Sequence, residues 1–137
     1  MGNKTIAIDF DNTLFETNYP TILRPISPVI EMAKERRARG DKLILWTCRE
    51  GADLETAVEA CRAEGLEFDA VNDNLEEEKA KWGNNPRKVS ADEYWDDRNF
   101  PLKPLYEWYM ERAIELIIEH SEGGETKTEG NKGGDSK

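Results

Sequence analysis

The sequence predicts an α/β fold, with a mainly parallel sheet and helices on both of its faces. Three observations point there. Short apolar runs recur at residues 5–8, 42–47 and 68–71, and runs of that length between polar or turn residues read as buried strands. Segments with helical spacing alternate with them, the order that builds parallel sheets through helical crossovers. Acidic and hydroxyl residues fall directly after the runs, where open α/β sheets hold their ligands.

The first run ends at Asp9. Residues 10–26 carry Pro20 and Pro25 and few periodic apolar positions, so they read as irregular. Ser27 is a good helix N-cap with Pro28 at the first helical position. Val29, Ile30, Ala33 and Arg37 keep helical spacing, and Gly40 is the stop. Leu43-Ile44-Leu45-Trp46 form a second strand that closes at Thr47. A helix follows over 51–64, with Leu54, Ala57, Val58 and Cys61 on one face and Gly65 behind it. Residues 68–71 give a third short strand, and 72–86 read as mostly loop with one helical turn near 76–82. Residues 88–91 and 93–95 supply one or two further strands. A last helix spans 102–120, with Leu105, Trp108, Tyr109, Ala113, Leu116 and Ile117 as its apolar face. After Ser121 the chain has no apolar side chain to offset its ordering entropy. One domain is therefore expected over 1–120, followed by a disordered polar tail over 121–137.

A chain of 137 residues suits a single domain with a real core. Its net charge of −10 repels polyanions and argues against nucleic acid as the main partner. The nearest basic run, 34–39, fits the solvated face of a helix. Cys48 and Cys61 make neither a metal spacing nor a Cys-x-x-Cys pair, and read as reduced thiols. No apolar run approaches the ~20 residues of a membrane helix. Lys4, Asp9 and Asp11 interrupt any signal-peptide core. A cytoplasmic protein with no membrane partner is expected.

The chemistry lies in the carboxylates. Asp9 and Asp11 stand two apart at a strand end and share a face. Close carboxylates require a cation or a shared proton. A second pair, Asp96-Asp97, ends the aromatic run at 93–95. Together the pairs would form an oxygen-only site of the kind that suits Mg²⁺ and a substrate phosphate. A carboxylate can also serve as a nucleophile, and phosphoryl transfer depends chiefly on positioning and charge neutralisation. One Asp would attack phosphorus and the other would move protons. Thr47 offers a hydroxyl and Lys88 a cation to the phosphate, and Arg49 is a further candidate contact.

These residues resemble the haloacid dehalogenase (HAD) superfamily. The matching pieces are Asp9-x-Asp11-x-Thr13 after a strand, Thr47 after the next, Lys88, and Asp96-Asp97 after a later strand. The segment Asp96-Asp97-Arg98-Asn99 also resembles small phage- and bacterial-type hydrolases of that superfamily. The resemblance implies a Rossmann-like three-layer fold and a Mg²⁺-dependent phosphatase acting through an aspartyl-phosphate. It implies Asp9 as nucleophile and metal ligand, and Asp11 as general acid/base giving the metal its backbone carbonyl. Thr47 and Lys88 would bind the phosphoryl group. Asp97 would be the direct metal ligand, with Asp96 acting through water. Lys88 precedes Asp97 by only nine positions, closer than the family's usual spacing, so Lys79, Lys81 and Arg87 stay open for its role. Neither the stretch after Leu14 nor that after Thr47 is long enough for a cap domain. The expected substrate is a large phosphorylated molecule, or one bound with help from loops 10–26 and 72–86. The rival classes are a nucleotide or nucleic-acid-end phosphatase and a catalytically silent scaffold.

Overall fold

The computed structural model describes residues 2–136, and side chains up to residue 121. Apart from Ser121, the polar tail expected at 121–137 lies outside the described side chains. The chain divides into two compact units, Met1–Asn99 and Phe100–Lys137.

The first unit contains, in order, strands β1 (Thr5–Ile8), β2 (Phe15–Asn18) and β3 (Thr21–Pro25) and helix α1 (Ser27–Ala38). Strand β4 (Lys42–Leu45), helix α2 (Gly51–Ala63), strand β5 (Ala70–Val71), helix α3 (Glu76–Trp82) and strand β6 (Glu93–Trp95) follow. Four strands form a parallel sheet in the order β5-β4-β1-β6. Ile6 of β1 sits opposite Leu43 of β4 on one side and Glu93 of β6 on the other. From β1 the chain builds outward through β4 and β5, then returns to the far side of β1 with β6. The strand order therefore reverses between β1 and β6.

Alternation along the strands sorts the core. Ile6, Ile8, Leu43 and Leu45 point to one face and pack with Ile30 and Ala33 of α1 and Ala57 and Cys61 of α2. Ala7 and Ile44 point to the other face, against Leu75 and Val89, with Trp46, Ala91 and Tyr94 alongside. With both faces covered, the strands read as unbroken apolar runs rather than alternating ones. This is the Rossmann-like α/β architecture that the pattern predicts. Among the described residues no separate cap domain is inserted into it.

The second face is held largely by a loop. Asn74 is only 3% exposed. Its amide donates to Asn85 Oδ1 (2.8 Å) and the Pro86 carbonyl (3.0 Å), while its Oδ1 accepts the Ser90 N–H (2.6 Å). Asn74→Ala should orphan these groups and cost about 1–3 kcal/mol. Urea unfolding checks this as a lower midpoint at unchanged slope.

Three local expectations differ from the structure. Residues 10–26 contain an antiparallel hairpin, β2–β3, with an irregularity between Glu16 and Thr17. Its strands are mostly exposed, so no apolar alternation marks them. Residues 88–91 form no strand: Val89 is buried in the second core cluster and Ser90 bonds to Asn74 instead. Helix α1 takes Ile26, not Ser27, as its N-cap residue and has no side-chain cap bond.

The second unit carries helix α4 (Leu105–Ser136). The carbonyl of Pro104 accepts the N–H of Glu107 (2.9 Å) and Trp108 (3.4 Å) at its start. No helix among the described residues is long and apolar enough to cross a membrane.

Candidate active site

The Asp9 N–H donates to the Trp95 carbonyl (2.9 Å), adding one rung to the β1–β6 pairing. Asp9 and Asp96 thus leave the sheet side by side, at the carboxyl ends of the two strands that flank the reversal in strand order. In open α/β sheets that crevice is the ligand site.

Beyond Asp9 the chain curls tightly. The N–H groups of Thr13, Leu14 and Phe15 all point at the Phe10 carbonyl (3.2, 3.0 and 3.2 Å). Asn12 takes a left-handed φ of 60°, a conformation Asn tolerates better than most residues. The curl swings Thr13 back beneath the acids. Its hydroxyl oxygen accepts the Asp97 N–H (3.0 Å) and lies 3.4 Å from both Asp9 Oδ2 and Asp97 Oδ1. Thr13 thereby ties together two segments that are remote in sequence.

Asp9, Asp96 and Asp97 each present a carboxylate oxygen within 4.8 Å of the others. Burial, then the charges of Asp96 and Asp97 and a hydrogen bond with Asp97, push the Asp9 carboxyl up to about 7, against the opposing pull of the Phe10 N–H. This all-oxygen, electron-rich donor set suits a hard divalent cation, whose charge would relieve the repulsion.

Asp11 is engaged elsewhere. Arg49, only 1% exposed, forks onto it through Nε–Oδ2 (3.0 Å) and Nη2–Oδ1 (2.8 Å), and the Thr17 hydroxyl adds a third bond (2.8 Å). Burial alone would raise the Asp11 carboxyl, but the Arg49 and Thr17 hydrogen bonds and the guanidinium charge outweigh it and hold the group below its usual range. Arg49 also donates to the Asp53 carbonyl (3.3 Å) and the Pro20 carbonyl (3.1 Å). Its guanidinium lies against the rings of Phe10 and Tyr19, 4.9 and 5.0 Å from their centroids. Arg49, expected as a phosphate contact, is placed as the partner of Asp11 and as the pin of the β2–β3 hairpin.

A cavity of about 450 Å³ opens over the acids. Asp9, Asp11, Asp96 and Asp97 line it, with Tyr19 on the hairpin side, Cys48 after β4, and Arg98. Thr47 and Lys88 are not among its lining residues. The Thr47 hydroxyl accepts the Arg49 N–H (3.1 Å), and its own N–H donates to Asn72 Oδ1 (2.8 Å). Asn72 Nδ2 reaches the Arg49 carbonyl (3.2 Å), so one side chain brackets the loop after β4. Lys88 Nζ lies 5.2 Å from the centre of the Tyr94 ring. Lys79 pairs with Asp73 (2.8 Å) and Glu76 (2.6 Å), Lys81 lies over Trp82, and Arg87 is exposed. The cation that lines the cavity is instead Arg98, whose backbone N–H donates to Asp96 Oδ1 (2.9 Å). Its signal in the sequence was its place directly after the acidic pair. Tyr19 gave none, because its hairpin reads as irregular.

Fold and site together define an α/β protein with an acidic cavity at the switch point of its sheet. No family model and no curated protein matches the chain. It is similar to a solved structure described as a conserved protein from Bacteroides thetaiotaomicron, with 41% identity and a TM-score of 0.64 over 82% of this chain and 91% of that one. The chain belongs to the family of that conserved protein.

Proposed function

We propose that this chain is a Mg²⁺-dependent phosphohydrolase of the haloacid dehalogenase kind, with Asp9 as its nucleophile. The observation that carries the reading is the convergence of Asp9, Asp96 and Asp97 at the switch point, with Asp11 two residues beyond the nucleophile. Asp9, Asp97 and the Asp11 backbone carbonyl would hold Mg²⁺, with Asp96 assisting through water. When bound, the cation neutralises charge between the anionic nucleophile and the anionic phosphate.

The protein's own groups perform the rest. Asp9 attacks phosphorus as the bond to the leaving oxygen breaks, and Asp11, which rests as the carboxylate that Arg49 holds, takes the proton of the phosphate monoester monoanion and passes it to that oxygen. Water then attacks the aspartyl-phosphate, giving its proton to Asp11 and releasing inorganic phosphate and free Asp9. The carboxylate form that Arg49 holds is the form needed for this second half. Arg98, which lines the cavity, takes the phosphate-facing role ahead of Lys88. Thr47 contributes through the loop that it holds together with Asn72. The lack of a cap among the described residues supports a large phosphorylated substrate, or one gripped by the β2–β3 hairpin. A cytoplasmic setting suits the two free cysteines.

Hydrolysis of p-nitrophenyl phosphate by the wild type, dependent on Mg²⁺, tests the reading. Inertness across a broad panel of phosphate esters sinks it. Calorimetry should separate the acids: Asp97→Ala weakens Mg²⁺ at least about tenfold, while Asp11→Asn retains Mg²⁺ and loses turnover. Complete loss of Mg²⁺ binding in Asp11→Asn contradicts the role given to its carbonyl.

Mg²⁺ affinity should also depend on pH. Without metal the Asp9 carboxyl sits at about 7. Below that pH the cation must displace a proton, so affinity falls by up to about tenfold per unit, and it levels off above it. Titrations in buffers of different ionisation heat should show about one proton released at the acidic end and almost none at the alkaline end. A pH-independent affinity contradicts the arrangement.

A further inference from the structure

We propose that Tyr19 is a specificity residue of this site, the outer face of its ring seating a flat aromatic group carried by the phosphorylated substrate. The proposal rests on the phosphohydrolase reading above and deepens it.

Tyr19 follows β2 at the hairpin turn and lines the cavity that also holds Asp9, Asp96 and Asp97. A volume of about 450 Å³ is far more than a phosphoryl group fills, given that a water takes roughly 30 Å³. Most of the space therefore meets the rest of the substrate, and Tyr19 is the one aromatic side chain among the described lining residues.

The ring is held without being covered. Its inner face rests on the Arg49 guanidinium, 5.0 Å from the ring centroid. Arg49 is itself fixed by Asp11 and by the carbonyls of Pro20 and Asp53. The Tyr19 hydroxyl donates to Asp53 Oδ2 at 3.5 Å. Even so, the residue is 61% exposed. A pre-positioned ring loses little freedom when it is stacked upon, and offset stacking rewards a second ring beyond the area it buries. The neighbouring lining side chains Asn12, Thr17 and Asn18 are short and polar. They offer an aliphatic group no comparable platform.

Benzyl phosphate and cyclohexylmethyl phosphate share a primary-alcohol leaving group and differ in the flat ring. With Mg²⁺, the wild-type full chain should favour the benzyl ester in kcat/KM by about three- to tenfold. Tyr19→Leu should bring the ratio close to unity, and Tyr19→Phe should preserve it. A wild-type ratio near unity, or one that survives in Tyr19→Leu, overturns the proposal. If the wild type hydrolyses neither ester nor p-nitrophenyl phosphate, the phosphohydrolase reading falls, and binding judges Tyr19 separately. NMR titration with each ester should then move the Tyr19 ring signals at lower concentrations of the benzyl ester. Equal or absent shifts overturn the platform as well.

Discussion

Asp9→Asn should reduce Mg²⁺-dependent hydrolysis by at least about four orders of magnitude, and it should raise the melting midpoint of the metal-free protein. Both effects come from one carboxyl. As the proposed nucleophile it would form the bond to phosphorus, and an amide could not replace it. As an acid beside Asp96 and Asp97 it is held at about 7 in the fold, against an ordinary value of 3.8. The folded chain therefore binds this proton more tightly than the unfolded chain. Between those two values the folded state carries more protons, so stability falls as pH rises, and the whole penalty is present above about 7. Asparagine carries no charge and escapes it. Calorimetric scans in chelator should show Asp9→Asn melting several degrees above wild type at pH 8 and the gain vanishing near pH 4. A lower midpoint at pH 8 would mean that Asp9 stabilises the empty site. Retention of a few per cent of wild-type turnover would remove it as nucleophile.

Arg49→Met should destabilise the chain by about 2–4 kcal/mol. Loss of the fork leaves Asp11 with only the Thr17 hydroxyl, and the carbonyls of Asp53 and Pro20 lose this donor. Because the Asp11 side chain is 24% exposed, water softens the loss below that of a fully buried charge. Arg49→Lys should recover only part of it, since an ammonium cannot fork onto a carboxylate. Adding Asp11→Asn to Arg49→Met should restore some stability, which a double-mutant cycle in urea measures. The pair's contribution is present above the ordinary carboxylate range and fades as pH drops through the lowered value of Asp11. A loss under about 1 kcal/mol in Arg49→Met contradicts the pinning role.

The sheet could be read because its strands are buried on both faces. Residues 5–8 and 42–45 have no polar interruption inside them, and the structure gives β1 and β4 at those places. Helix α2 was legible from the spacing of Leu54, Ala57, Val58 and Cys61. The β2–β3 hairpin was not, because Glu16, Asn18, Thr21 and Arg24 face outward and give no alternation. For the site, each of the two acidic pairs was visible as a local pattern. Their meeting depends on β6 pairing with β1, which three residue pairs in register accomplish. The cations were harder. A lysine's reach depends on the segment that carries it, and Lys79 is spent on Glu76 within α3 and on Asp73 just before it. Arg49 read as a phosphate contact, because nothing local announces a partner thirty-eight residues away in sequence.

The reversal of strand order also fixes when the site comes into being. Asp9 leaves the ribosome early, but β6 and the acids behind it emerge only after β1, β4 and β5 have been made. In a nascent chain halted before Glu93, Asp9 has neither Asp96 nor Asp97 beside it. The charge crowding that those two acids impose on Asp9 is thus absent until they are made. It arrives with the last strand, so a cation available at that moment would help to draw β6 into place.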